Sequence, residues 1–326
     1  MTSRYHRRLR ATLIALAFVS AGACVDTRGD SARDARQRSK RMGVVAWLDT
    51  AHVLLWRFEV TGNGDVFNAT CDSAGLYAVT VEGVSRPWAT TRSICHVLLA
   101  SWDHSIDRAL TKIVFTDKDR RVGLHIVHVR EGTDAELLTQ CTRVRSPAWS
   151  PKGDRIAFFG RCPGAPRASG WVVDSGGDNL RPLVLREDST ELSFLTWSPD
   201  ESAIAFQYGD YPAAPTIRVL TLRTGAVTEV AKGSLPSWSP GGDRVAFEGD
   251  SMGIRRLRAI SPVGTDRRTI LTLDSATTSP VDVPDDFLLE PAKWSPDGRW
   301  LAFVSGRAVW VVSADGARLH MLARMR

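Results

Sequence analysis

Trp294-Ser295-Pro296-Asp297-Gly298-Arg299-Trp300-Leu301-Ala302-Phe303 decides the fold, because three variants of it stand upstream. One runs Trp149-Ser150-Pro151-Lys152-Gly153-Asp154-Arg155-Ile156-Ala157-Phe158. The second runs from Trp197 through Ser198-Pro199-Asp200-Glu201 to Phe206, and the third from Trp238 through Ser239-Pro240-Gly241-Gly242 to Phe247. In all four the closing aromatic falls nine positions after the Trp. Each copy reads as a hairpin. An apolar strand ends at the Trp and Ser-Pro-Asp-Gly turns the chain. Pro presets φ, Ser and Asp bond the local backbone, and Gly accepts positive φ. The Ile-Ala-Phe or Val-Ala-Phe run then returns as a second strand.

Three copies continue into a further apolar strand closed by a small polar turn: Trp171 to Gly177, Leu257 to Gly264 and Val309 to Gly316. Each leads to a fourth strand, as in Arg181 to Leu185 and Arg318 to Leu322. Four antiparallel strands repeated at a period in the forties form a propeller blade. The repeats predict that Trp and Phe pack between blades while Pro and Gly make turns, so none of them is assigned a ligand.

This succession resembles the TolB-like, WD40-like (PD40) β-propeller repeat. The resemblance implies an all-β fold and a role in cell-envelope assemblies. It covers the propeller only, because TolB also carries an amino-terminal α/β domain for which this sequence is read as leaving no room. Similar propellers cover the catalytic domain of prolyl-oligopeptidase-like enzymes, but no hydrolase domain is expected after Arg326.

Residues 1–23 read as an export signal, with Arg4, Arg7, Arg8 and Arg10 before the apolar run Ala11 to Ala23. Cys24 follows directly, which resembles a bacterial lipobox and implies lipidation at Cys24. Such boxes usually carry Leu or Val where Ala21 stands. Ala21-Gly22-Ala23 also suits ordinary signal peptidase, so plain secretion stays open. Residues 24–42 are polar and charged and are expected to form a disordered tether. Arg28-Gly29-Asp30 within it matches an adhesion tripeptide by spelling only.

The chain carries a formal charge of +6. Residues 1–23 hold four Arg and no acid, and residues 24–42 hold six Lys/Arg against three Asp, leaving about −1 from Gly43 onward. A near-neutral propeller has no electrostatic footprint for nucleic acid.

Residues 43–326 are therefore expected to form a six-bladed propeller of four-stranded antiparallel blades. The first two blades are the divergent ones. Trp47 and Trp56 are nine apart without a Ser-Pro-Asp-Gly turn, and Gly75 to Val81 serves as the third strand. Trp102 is read as opening blade 2, with a longer turn because Ile113-Val114-Phe115 arrives four residues late. Gly123 to Arg130 and Ala135 to Thr139 complete that blade. Blade 1 begins with its own first strand and blade 6 ends with its own fourth, so closure is expected from packing between blades 6 and 1. Glu201 replaces the turn Gly of the other copies, at about 1 kcal/mol if positive φ is needed there.

With Cys24 set aside, Cys71, Cys95, Cys141 and Cys162 remain. Four cysteines in an exported chain allow three pairings. The expected strand ends favour Cys71–Cys95 and Cys141–Cys162. No Cys-x-x-Cys points to zinc.

Gly249-Asp250-Ser251-Met252-Gly253 spells the nucleophile elbow of α/β-hydrolases, which requires a following helix. Here Ile254 to Ile260 reads as a strand, so the match is set aside. His125 and His128, three apart on a strand, point to opposite faces. His52, His96, His104 and His320 are scattered. Asp117-Lys118-Asp119 reads as an exposed turn, and Asp282, Asp285, Asp286 and Glu290 as an acidic solvated connection. The expected channel-lining strands are Val44-Val45-Ala46, Leu98-Leu99-Ala100, Ser146-Pro147-Ala148, Leu195-Thr196, Leu235-Pro236-Ser237 and Pro291-Ala292-Lys293. They contain one Lys and no acid.

The reading is thus a non-enzymatic, extracytoplasmic and monomeric propeller, membrane-anchored through lipid and needing no cofactor or metal, that binds a protein or cell-envelope component. The alternative is a small-ligand-binding or hydrolase/lyase-type propeller with its site at the channel mouth.

Overall fold

The computed structural model describes residues 37–62, 70–89, 104–116, 122–164, 169–183, 192–209, 214–251, 254–273, 290–305 and 308–324. Among them there is no helix. The strands order into six blades. Blade 1 holds β1 (Gln37–Trp47), β2 (His52–Gly62), β3 (Thr70–Thr80) and β4 (Ser85–Ala89). Blade 2 holds β5 (His104–Ile106), β6 (Lys112–Phe115), β7 (Val122–His128) and the first half of β8 (Asp134–Trp149). Blade 3 takes the second half of β8, with β9 (Arg155–Arg161), β10 (Gly170–Asp174) and β11 (Arg181–Leu183). Blade 4 is β12 (Leu192–Trp197), β13 (Ala203–Tyr208), β14 (Thr216–Thr221) and β15 (Ala226–Lys232). Blade 5 is β16 (Ser234–Trp238), β17 (Val245–Ser251), β18 (Ile254–Ile260) and β19 (Arg268–Leu273). Blade 6 is β20 (Lys293–Trp294), β21 (Trp300–Ser305), β22 (Ala308–Ser313) and β23 (Leu319–Arg324).

The repeat turn works as its residues dictate. The buried Ser accepts the backbone N–H five residues on: Ala203 N donates to Ser198 Oγ at 2.9 Å, and Trp300 N to Ser295 Oγ at 2.9 Å. The same hydroxyl donates to an Asp inside the turn. In blades 4 and 6 this is the residue two on, Asp200 or Asp297, each at 2.6 Å. In blades 3 and 5 it is the residue four on, Asp154 at 2.8 Å or Asp243 at 2.9 Å. The Ser150 and Ser198 hydroxyls hold Asp154 and Asp200 below the usual carboxylate range.

The turn glycines do need positive φ, with Gly153 at 76°, Gly242 at 76° and Gly298 at 70°. Glu201 adopts 60° at the same place. Its carboxylate accepts the Lys152 N–H at 2.9 Å and pairs with Arg155, tying the blade 4 turn to the blade 3 turn. Side-chain contacts across the seam thus offset the backbone cost. At the blade 5 and blade 6 turns a glycine lies against the preceding blade's proline: a methyl on Gly242 would sit 3.3 Å from Pro199, and one on Gly298 3.4 Å from Pro240.

The core lies between blades, not within them. Phe206 faces back toward blade 3 beside Phe159, with ring centroids 5.9 Å apart. Phe158, Phe247 and Phe303 face the preceding blade in the same way. Three of the repeat Trp indoles add hydrogen bonds across the seams, while those of Trp149 and Trp238 are buried without one among the described residues. Trp197 Nε1 donates to Ala148 O (3.1 Å), Trp294 Nε1 to Ser237 O (3.1 Å) and Trp47 Nε1 to Lys293 O (2.8 Å). The last bond crosses from blade 1 to blade 6. There Val44, Trp47, Val53 and Leu55 pack with Ala302, Val309 and Val311 and close the ring without a shared strand.

Blades 1 and 2 depart from the sequence expectation. In blade 2 the inner strand is His104–Ile106, and Ile106, not Trp102, takes the place of the repeat Trp. Ile106 pairs with Ile113 as Trp197 pairs with Ile204, and Phe115 stands nine positions after it. Asp107 does the work of the turn Ser. Its carboxylate accepts the N–H groups of Thr111 (2.7 Å) and Lys112 (2.9 Å), while Leu110 takes the positive φ at 59°. The turn is therefore no longer than usual. Trp102 and Leu98-Leu99-Ala100 lie outside the described residues. In blade 1 the turn is one residue shorter, pairing Trp47 with Val53, so Leu55 fills the Phe position. Trp56 then faces blade 2, with Leu54, Ile113 and Phe115.

Two further differences concern boundaries. Strand β1 begins at Gln37, inside the stretch expected to be tether, because Gln37 to Met42 pair with Gly62 to Arg57 on β2. The fourth strand of blade 2 runs on without a break into the first strand of blade 3. Cys141 and Cys162 form a disulfide with Cα atoms 4.3 Å apart, one step beyond the Thr142–Arg161 pair on β8 and β9. Cys95 lies outside the described residues, and so does the side chain of Cys71.

Candidate functional site

The inner strands and the turns after them enclose a central channel with a cavity of about 550 Å³. Its wall contains Val44, Val45 and Ala46, Ser146 to Ala148, Leu195 and Thr196, Pro236 and Ser237, and Pro291 with Lys293, as read from the sequence. Blade 2 contributes His104, Ser105, Ile106, Asp107 and Arg108 in place of Leu98 to Ala100. Pro151, Pro199, Pro240 and Pro296 from four repeat turns also line it.

The inner strands bulge where they meet this channel. In blades 3, 4 and 5 the residue three before the Trp is left-handed, with Ser146 at φ 49°, Phe194 at 51° and Leu235 at 60°. The register shifts there against β9, β13 and β17. A bulge leaves a backbone N–H without a ladder partner, and the preceding blade supplies one from a side chain. Phe194 N donates to Ser146 Oγ at 3.0 Å, and Leu235 N to Gln207 Oε1 at 3.3 Å.

At the blade 6 to blade 1 seam the acceptor is a carboxylate. Glu290 Oε2 accepts Val44 N at 3.0 Å, and its Oε1 accepts Trp56 Nε1 at 2.9 Å. Glu290 is therefore not part of a solvated acidic loop. It is half-buried in the channel wall, and the wall does contain an acid. Burial pushes its carboxyl up to about 7, against the opposing pull of Lys293, Trp56 and Val44. Burial likewise pushes the Lys293 ammonium down, and Glu290 holds it up. The available signal was phase: Glu290 stands four residues before Trp294, within the reach of an inner strand. Asp282, Asp285 and Asp286 lie outside the described residues.

The remaining candidates do not converge. His125 stacks on Phe115 at 5.3 Å, and His128 Nδ1 lies 3.2 Å from Glu131. His52 meets Asp49 in the first turn at 2.9 Å, and His320 tilts against Trp300 at 6.0 Å. His104 lines the channel, while His96 and Asp117-Lys118-Asp119 lie outside the described residues. The elbow-like segment joins β17 directly to β18, with Ser251 paired to Ile254, so a strand follows it where the hydrolase motif requires a helix. Among the described residues no three His, Cys, Asp or Glu side chains cluster as metal ligands would.

These features define a six-bladed propeller with a channel walled by prolines, small residues and the charged side chains of Asp107, Arg108, Glu290 and Lys293. Comparison with known proteins gives that class a narrower likeness. No protein-family model matches the chain. The chain is 33% identical over 69 residues to the Tol-Pal system protein TolB of Rhizorhabdus wittichii, a match spanning 21% of this chain and 15% of that protein. TolB from Acinetobacter baumannii superposes with a TM-score of 0.54 at 14% identity, covering 87% of this chain and 63% of that one. A putative TolB from Agrobacterium tumefaciens gives 0.55 at 14% identity, over 75% and 86%. An oligogalacturonate lyase in complex with manganese gives 0.53 at 14% identity, over 85% and 90%. The fold is that of a TolB-like β-propeller.

Proposed function

We propose that this chain is a non-enzymatic, exported propeller that binds a protein or another component of the cell envelope. The observation that carries the reading is the TolB-like propeller itself, since the curated relative is named as a Tol-Pal system protein. Propellers of this kind offer broad loop faces and a channel mouth to a partner. The Cys141–Cys162 disulfide supports an oxidising, extracytoplasmic compartment. Residues 1–23 act as the export signal, Cys24 carries the lipid, and the polar residues that follow tether a monomeric head to the membrane.

In-cell crosslinking of the full-length chain, followed by mass spectrometry of the membrane fraction, tests the reading. A defined envelope protein joined to loops on one face is expected. Abundant, folded protein that captures nothing specific would remove the ground for it. Replacing Cys24 with Ser tests the anchor, since the variant should leave the membrane fraction.

The Glu290–Lys293 pair favours a second reading, a small-ligand or lyase-type site in the channel. A thermal-shift screen of small acids and sugars separates the two. A ligand whose shift is lost in Glu290→Gln would select this alternative.

A further inference from the structure

The two faces of strand β18 carry opposite electrostatic outcomes. Leu257 and Ala259 pack into the core shared with blade 6, so Arg255 shares that face, where it pairs with Glu248. Arg256 and Arg258 project from the other face, toward blade 4, as Ile260 does in the core shared with that blade. Arg267 joins them. Its neighbour Arg268 pairs with Ala259 on the blade 6 side, which turns Arg267 to the blade 4 side. Thr269 pairs with Arg258 and Thr272 with Arg256, placing two exposed hydroxyls on the same surface.

No carboxylate answers these three guanidiniums among the described residues. Glu248 is used by Arg255 on the far face, Asp266 by Arg244, and Glu229 by Arg218 on the far face of blade 4. Blade 4 presents Thr228 and Val230 on this side. Burial first, then Arg267 and Arg256, hold the Arg258 guanidinium below its ordinary value. An arginine keeps its proton regardless, so the repulsion persists in the folded protein. Space has also been left for the group. A methyl at Gly249 would stand 2.8 Å from Arg258 Nη1, so this glycine of the elbow-like motif gives the guanidinium room to lie across β17.

We propose that Arg256, Arg258 and Arg267, with Thr269 and Thr272, form an anion site on blade 5 for a phosphoryl group. A phosphate ester brings close to two charges and three acceptor oxygens, and guanidinium forks match that geometry bidentately. A carboxylate brings one charge and two oxygens and would leave the cluster partly uncompensated. The group can come from a soluble phosphate monoester or from a lipid whose headgroup is a phosphate monoester, as in phosphatidic acid.

The test titrates the full-length protein with inorganic phosphate and with pyrophosphate against sodium chloride of equal ionic strength. Melting temperature and calorimetric affinity are the readouts. In parallel, the Cys24→Ser protein, which lacks the proposed lipid, is floated with phosphatidic acid or phosphatidylcholine vesicles. Pyrophosphate should stabilise and bind, and Arg256→Ala and Arg267→Ala should each weaken binding about tenfold. Arg255→Ala, on the opposite face, should leave affinity unchanged. Phosphatidic acid binding that the double variant R256A/R267A abolishes assigns the phosphoryl group to lipid, and binding of soluble phosphate alone assigns a soluble ester. No binding of either phosphate or vesicle overturns the site. So does binding that the double variant retains, binding that Arg255→Ala weakens equally, or preference for an acidic peptide over pyrophosphate. Unliganded melting temperatures of the variants show that each is folded.

Discussion

The seam between blades 3 and 4 and the seam between blades 6 and 1 satisfy the same backbone demand with different chemistry. In the first, a bulge-freed N–H at Phe194 meets the neutral hydroxyl of Ser146, and the Trp197 indole meets Ala148 O. In the second, Val44 N and the Trp56 indole meet the Glu290 carboxylate, and the Trp47 indole meets Lys293 O. A hydroxyl is indifferent to pH, whereas a half-buried carboxylate is not. The repeat therefore sets which backbone atoms need a partner, and each seam is free to choose that partner.

The packing at both seams should matter most. Phe206 and Leu55 hold equivalent places, each facing the preceding blade and fully buried. Phe206→Ala is expected to cost about 3–5 kcal/mol and Leu55→Ala about 2–5 kcal/mol, read from denaturant midpoints. If Leu55→Ala were harmless while Trp56→Ala cost the larger amount, the one-residue shift of blade 1 would be wrong.

The seam between blades 2 and 3 differs from both, because the chain crosses it in one strand and a disulfide joins β8 to β9 beside the crossing. Cys141 and Cys162 are 21 residues apart, and closing a loop of that size is worth about 3 kcal/mol through the unfolded chain. Reduction, or paired Ser substitutions, should lower the unfolding free energy by that amount. An unchanged midpoint under reductant would show that strand continuity alone holds the seam.

The charged seam should then show itself against pH. The Glu290 carboxyl titrates near 7 in the fold against 4.5 as the ordinary value. The folded protein thus holds its proton more tightly than the unfolded chain. That contribution is fully present below about pH 4.5 and is lost as pH rises through about 7, on the order of 3 kcal/mol. Glu290→Gln should flatten this slope, and Lys293→Met should shift it upward by removing the ammonium that favours ionisation. Ser146→Ala should weaken its own seam equally at every pH. A wild-type stability flat between pH 4.5 and 7 would contradict the assignment.

How much of this was legible depended on whether the motif kept its residue types. Blades 3 to 6 could be read directly because Trp, Ser, Pro and Phe sit at fixed spacing and each has a physical task. Blade 2 was misread because Trp102 stands four residues before Ile106, which fills the Trp position, and because Asp107 does in carboxylate form what Ser does elsewhere. Blade 1 was misread because Trp56 falls nine residues after Trp47, although a turn one residue shorter places Leu55 in the core position. Glu290 was hidden by its acidic neighbours in sequence. Its partners Val44 and Trp56 are more than 230 residues away, and no local pattern encodes that pairing.

Glu201 provides the finest test, because two effects of similar size oppose each other there. Its positive φ costs about 1 kcal/mol relative to glycine. Its carboxylate, buried between turns, accepts Lys152 N and pairs with Arg155, which also lies over the Trp197 ring at 5.1 Å. Glu201→Ala keeps the backbone strain and loses the contacts, so it should destabilise by about 2 kcal/mol. Glu201→Gly loses the same contacts but relieves the strain, and should fall within about 1 kcal/mol of wild type. Equal losses in the two variants would mean that the turn carries no strain. A stabilised glycine variant would mean that the contacts across this seam contribute less than the backbone gives up to make them.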